Sequence, residues 1–144
     1  MKKSKKKIYI AGQEGMVGSA VYKLLKKKGF IIIDCKRNSL DLTSQIEINK
    51  FIKKNKPDIV INAAGKVGGI LDNSRFQDDY LYINTFIGLN LAKACFENNV
   101  NNFINLGSAC IYPKNSKQPI KEDYLLSSKL EPTNEGYALA KIVV

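Results

Sequence analysis

Tyr137 and Lys141 stand four residues apart, with Ser108 upstream. On a helix that spacing puts both side chains on one face. A phenol with its usual pKa of about 10 is a poor base at neutral pH. A nearby ammonium favours the phenolate and lowers that value. Such a tyrosine can exchange a proton with a carbonyl or hydroxyl oxygen while hydride moves at the adjacent carbon. Lys141 can also hold the ribose of a nicotinamide, and Ser108 can hydrogen-bond the same substrate oxygen. Alone, Tyr-x-x-x-Lys is common on surface helices. Its weight comes from the segments that precede it.

The first of these is Gly12-Gln13-Glu14-Gly15-Met16-Val17-Gly18. Three glycines at this spacing, between a strand and a helix, let the chain reverse tightly and let a pyrophosphate approach the backbone. They also aim amide donors from a helix N-terminus. A purely structural turn would use glycines too, but the position after a first strand and before an amphipathic helix favours phosphate binding.

The elements that must position these groups follow from periodicity. Lys7–Ala11 is a short apolar run that ends at Gly12, as a buried strand does. Val17, Val21, Leu24 and Leu25 recur at helical spacing, and Gly29 sits where a helix ends. Phe30–Asp34 reads as a second strand. Ser44-Gln45-Ile46-Glu47 fits a capping box, followed by Ile48, Phe51 and Ile52 on one helical face. Ile59–Ala63 makes a third strand and Gly65–Asn73 a glycine-rich loop. From about Arg75 to Glu97 the residues Tyr80, Ile83, Ile87, Leu91, Ala94 and Cys95 keep helical period. Phe103–Leu106 is a fourth strand. Ile111–Pro132, with Pro113, Pro119 and Pro132, reads as an ordered loop. A last helix starts near Thr133 or Asn134 and still runs at Val144.

Alternation of strand and helix implies an α/β fold, a doubly wound parallel sheet of Rossmann type with right-handed crossovers. The expected strand order is 3-2-1-4, truncated after the Tyr-x-x-x-Lys helix, in a single domain over residues 1–144. The active site then lies at the carboxyl ends of the strands.

Further cofactor contacts are expected after the second and third strands. Asp34 suits the ribose hydroxyls of NAD, whereas Lys36 and Arg37 suit the extra phosphate of NADP. Asp41 and Leu42 are placed beside the adenine, with helix capping as the competing role of Asp41. Ala63, Ala64 and Gly65 are small enough for the cofactor backbone to pass closely, or simply to pack.

A chain of 144 residues can bury one sizeable core. The net charge of +10 raises the question of a nucleic-acid partner. Its distribution answers against one. Lys2, Lys3, Lys5, Lys6 and Lys7 form a short tail, and Lys26, Lys27 and Lys28 end a helix, where cations suit the dipole. No run reaches membrane-spanning length, and Ile8–Ala11 is too short for a signal-peptide core, so the chain reads as cytoplasmic. Cys35, Cys95 and Cys110 have no metal-like spacing, and there is no histidine, so reduced thiols and no metal are expected.

With these residues in order, the chain resembles the GDP-L-fucose synthase family of extended short-chain dehydrogenases/reductases. The resemblance is carried by Ile10–Ala20, Lys66–Ile70, Leu106–Lys114 and Leu130–Lys141. It spans almost the whole chain but only the N-terminal part of such enzymes. It implies an NADPH-dependent reaction on a GDP-linked 4-keto-6-deoxy-mannose: epimerisation of two ring carbons beside the ketone, then reduction of the ketone. It also implies a Ser108–Tyr137–Lys141 reductase triad, an acid/base role for Cys110 helped by a histidine, and a homodimer of the full-length enzyme. Glu14 stands near where the family often has a basic residue that meets the NADP phosphate, and Gly136 replaces a usual proline. The histidine and the GDP-sugar-binding region would lie beyond Val144. Residues 1–144 alone are therefore expected to be marginally stable and inactive.

Overall fold

The described residues fall into two units: those up to 65 with 86–106, and 66–85 with 107–144. The computed structural model describes residues 6–144, so Lys2, Lys3 and Lys5 of the basic tail lie outside it.

The first unit is built on a parallel sheet. Its strands are β1 (Lys7–Ala11), β2 (Ile31–Ile33), β3 (Ile59–Asn62) and β4 (Phe103–Asn105). All pairings are parallel, with Tyr9 opposite Ile33 on one side and Val60 on the other. Side chains alternate across a strand. Ile8 and Ile10 of β1 join Ile61 in a cluster covered by Val21, Tyr22 and Leu25 of α1 (Met16–Lys27). Tyr9 points the other way, its ring 4.7 Å from that of Phe51 in α2 (Gln45–Asn55). The C-terminal part of α4 (Gln77–Glu97) is tied to α2 through Asn98 Nδ2 to Asn49 Oδ1 at 2.6 Å. Asn90 Nδ2 also donates to the Thr43 carbonyl just before α2. Leu91, Ala94 and Cys95 are buried, as their period requires. On α1, by contrast, Val17 and Leu24 are about half exposed, and only Val21 and Leu25 of the expected stripe pack on the sheet.

The strand order is 2-1-3-4, which corrects the expected 3-2-1-4. Val60, Ile61 and Asn62 of β3 are buried, which suits an interior strand with partners on both edges, β1 and β4. Ile31 of β2 is 45% exposed, which suits an edge. A 3-2-1-4 order would have put β3 outside β2 and reversed both environments. The chain moves outward from β1 to β2, then crosses back over β1 to β3. With right-handed crossovers this puts α1 and α2 on opposite faces of the sheet. The switch point, where ligands of such sheets bind, therefore falls between the carboxyl ends of β1 and β3.

Caps follow local chemistry. Gly29, at φ 81°, closes α1 with bonds from Gly29 N–H to Lys26 and from Phe30 N–H to Leu25. Ser44 caps α2 by accepting from Glu47 N–H, but Glu47 returns its carboxylate to Asp41 N–H and not to Ser44, so the capping box is half formed.

The second unit holds α3 (Ile70–Arg75), the first turns of α4 and α5 (Glu135–Val143). α3 is a correction to the loop expected over residues 65–73. Gly69 lies just before it, and Asn73 Nδ2 bonds back to the carbonyls of Gly68 and Gly69. The long segment before α5 is irregular, with single 3-10 turns at Ala109–Ile111, Glu122–Tyr124 and Pro132–Asn134. A Lys114–Glu131 ion pair at 2.9 Å and the Lys114 N–H to Lys129 carbonyl bond hold its two ends together. Among the described residues no helix is long and apolar enough to cross a membrane.

Candidate active site

The glycine turn sits at the switch point of the first unit. Gly12 has φ 80°, and a Cβ there would lie 2.8 Å from the Ala63 carbonyl and the Ala64 backbone. Gly18, buried in the first turn of α1, faces the Gly12 carbonyl so closely that a Cβ would approach it to 2.1 Å. Ala63 and Ala64 are thus packed against the turn, as small residues allow, and Gly65 follows them. Gly15 precedes α1 and no side chain caps the helix, so its first N–H groups face outward unclaimed by a cap. Met16 and Val17 turn their side chains outward, leaving their backbone to form the cradle. This arrangement fits the pyrophosphate of a dinucleotide.

Beside the turn, Gln13 Nε2 donates to the Cys35 carbonyl at 2.7 Å, and Glu14 Oε2 accepts from Arg37 N–H at 3.0 Å. Both residues therefore tie the turn to the segment after β2. The Gln13 Oε1 atom is buried without a partner. The Asp34 carboxylate accepts from the Tyr22 hydroxyl at 2.9 Å, and Lys26 bonds the same hydroxyl. Lys36 and Arg37 are exposed beside Glu14. Asp41 is held in a local turn by Thr43, whose N–H and hydroxyl both donate to it and pull its pKa below the usual carboxylate value. Leu42 is half-buried next to it.

The second unit brings together Ser108, Cys110, Tyr137 and Lys141. Ser108 caps the 3-10 turn Ala109–Ile111 by accepting from Cys110 N–H at 3.3 Å, and that turn packs on α5. The Lys141 ammonium lies 5.8 Å from the centre of the Tyr137 ring. The tyrosine titrates in the opposite direction to the one expected. Burial raises its pKa above the usual value, Cys110 raises it further, and the Ser108 hydroxyl opposes them. Burial likewise lowers the pKa of Lys141. Loss of water around the phenol is the largest of these effects.

Two positioning contacts have no signal in the sequence. The Gln77 side chain spans the start of α5, with Nε2 donating to the Pro132 carbonyl at 2.8 Å and Oε1 accepting from Gly136 N–H at 3.0 Å. Tyr80, legible only as a buried helical position, meets the Tyr137 ring edge-on at 6.4 Å between centroids. Its hydroxyl bonds Asp72, which pushes its pKa up to about 12.

A parallel sheet with a glycine turn at its switch point, and a second unit carrying serine, tyrosine and lysine, define a dinucleotide-binding α/β chain of the dehydrogenase type. Residues 8–144 match the NAD dependent epimerase/dehydratase family, and the chain belongs to that family. It is 48% identical over 137 residues to a GDP-L-fucose synthase of Sinorhizobium fredii, covering 95% of this chain and 44% of that protein. It is 45% identical over 137 residues to GDP-L-fucose synthase 1 of Arabidopsis thaliana, covering 94% and 42%. Among solved structures, the GDP-mannoheptose C4 reductase MlghC of Campylobacter jejuni, with NADP bound, superimposes with a TM-score of 0.91 at 37% identity. That match covers 96% of this chain and 44% of the other. The chain spans less than half the length of these relatives.

Proposed function

We propose that these residues are the cofactor-binding and proton-transfer part of a longer NADPH-dependent enzyme. It converts GDP-4-keto-6-deoxy-D-mannose to GDP-L-fucose by epimerisation and reduction. The observation that carries this reading is the grouping of Cys110 with Ser108 and Tyr137 around α5, which gives one site both a thiol and a phenol. A reductase alone needs only the phenol.

Gly12, Gln13, Glu14, Gly15, Met16, Val17 and Gly18 hold the pyrophosphate, with Ala63, Ala64 and Gly65 along the cofactor backbone. Asp41 and Leu42 border the adenine, and Lys36 and Arg37 meet the 2′-phosphate. The reduced nicotinamide, when bound, supplies hydride to the ketone carbon. Ser108 hydrogen-bonds the ketone oxygen, Tyr137 gives it a proton, and Lys141 holds the ribose and faces the phenol. A phenol held protonated by burial is suited to donate in the reductive direction. Cys110 moves protons at the carbons beside the ketone. The enzyme acts as a cytoplasmic homodimer. Phe86, Leu89 and Phe96 give the first unit's part of α4 an exposed apolar stripe that suits pairing with a second copy.

The test is turnover by the full-length protein of GDP-4-keto-6-deoxy-D-mannose with NADPH, with the product identified by NMR. GDP-L-fucose supports the reading. Reduction without epimerisation would sink it and favour a C4 reductase, as the likeness to MlghC allows.

The Glu14 contact bears on the cofactor. Its carboxylate holds the Arg37 N–H beside the two cations expected to meet the 2′-phosphate, and so opposes that phosphate's charge. In the full-length protein, Glu14→Arg is expected to raise the kcat/KM ratio of NADPH over NADH about tenfold, or about 1.4 kcal/mol. An unchanged ratio would place the phosphate elsewhere.

A further inference from the structure

Asn134 occupies the N-cap position of α5, where asparagine ordinarily accepts a bond from the first N–H groups of the helix. Here its side chain makes no such bond. The amide turns instead to the thiol, with Nδ2 donating to Cys110 Sγ at 3.2 Å. Its Oδ1 atom is buried and has no partner. A part-buried amide that gives up its cap and leaves a buried oxygen unpaired is held for another purpose, since buried polar atoms are otherwise satisfied.

We propose that Asn134 is the positioning residue of the Cys110 acid/base group. This rests on the reading of Cys110 given above. The amide meets both forms of the sulfur. Its N–H stabilises the thiolate, and rotation of the amide by half a turn offers Oδ1 to the S–H of the thiol. The thiolate removes the proton from a carbon beside the ketone. The C–H bond breaks, an S–H bond forms, and the electron pair passes into the enolate, whose oxygen takes up the charge beside Ser108 and Tyr137. Asn134 touches neither substrate nor cofactor in this step. It fixes the sulfur in place for that step. Its place three residues before Tyr137 puts the thiol's partner and the phenol on one rigid element, so both proton-transfer groups are registered by the start of α5.

The experiment uses the full-length protein with GDP-4-keto-6-deoxy-D-mannose in deuterated water, without reductant. Deuterium entering the ring carbons beside the ketone then reports proton abstraction alone. Asn134→Ala is expected to slow wash-in at least tenfold, with the loss in kcat and little change in KM. Asn134→Asp is expected to slow it further, because a carboxylate opposes the thiolate. NADPH binding is expected to stay unchanged in both variants, which shows that they fold. Asn134→Ser, which restores a donor, is expected to recover part of the rate. A loss confined to KM would overturn the proposal, as would an Asn134→Ser variant no faster than Asn134→Ala, or an unchanged rate while Cys110→Ser abolishes wash-in. Undiminished wash-in in Cys110→Ser would instead remove the role of Cys110 itself, and the inference with it.

Discussion

Tyr137→Phe in the full-length enzyme is expected to lower ketone reduction by about 10²–10⁴-fold, the usual worth of a positioned proton donor. NADPH affinity should hardly change. The substitution removes one hydroxyl and keeps the ring, so the edge-on contact with Tyr80 is preserved. The loss should therefore fall on kcat with little effect on KM, because the proton is given only as charge develops on the oxygen. The wild-type pH profile carries a second expectation from the same group. Burial, then Cys110, raise the pKa of Tyr137 above its ordinary value, so the phenol stays protonated through neutral pH. Reduction should be flat from neutral pH upward and fall only above about pH 10, as the donor ionises. Stopped-flow measurement of NADPH oxidation checks both. A limb that falls between pH 7 and 8 would mean that another group sets the rate, or that cofactor binding reverses the shift.

Gly18→Ala is expected to abolish useful cofactor binding. The added methyl would lie 2.1 Å from the Gly12 carbonyl, far inside contact distance, and the obstacle is backbone that no rotamer change can clear. Relief requires α1 to move away from the turn, or Gly12 to leave φ 80°, where it packs on Ala63 and Ala64. Either movement spoils the N–H cradle. Overpacking of this kind costs about 1–3 kcal/mol in stability, so the melting temperature should fall by several degrees while NADPH binding weakens about a hundredfold or more. Calorimetric titration separates the two. A variant that binds NADPH normally would show that α1 shifts without loss of its donors, and the turn would then not be the pyrophosphate site.

The strands, the long helices and the glycine turn were legible because each rests on local pattern. Ile8–Ala11 is buried as its composition demands, and Tyr80, Leu91 and Cys95 are buried at helical spacing along one helix. The strand order was not legible. Local periodicity says which residues are buried but not which strand lies beside which, and β3 could only be recognised as interior from the pairing of Ile8–Ala11 with Ile59–Asn62. α3 escaped because its six residues show too little period after two glycines. In the site, Tyr137, Lys141 and Ser108 were recognised by type and spacing, and Cys110 only by family resemblance. The direction of the tyrosine's titration was missed because spacing reveals the neighbouring ammonium but not the burial that raises the phenol's pKa. Gln77 and Asn134 were missed because an amide's partners depend on where the backbone brings it, and both partners lie tens of residues away.

The seat of α5 on Gln77 limits how this lineage can drift. Position 136 admits no Cβ, which would fall 2.2 Å from the Gln77 carbonyl, and its N–H is already engaged by the Gln77 side chain. A proline here would lack that N–H and carry a ring in its place, so it could not share the arrangement. The two positions should therefore change together, and a single exchange of either should be selected against until the other follows.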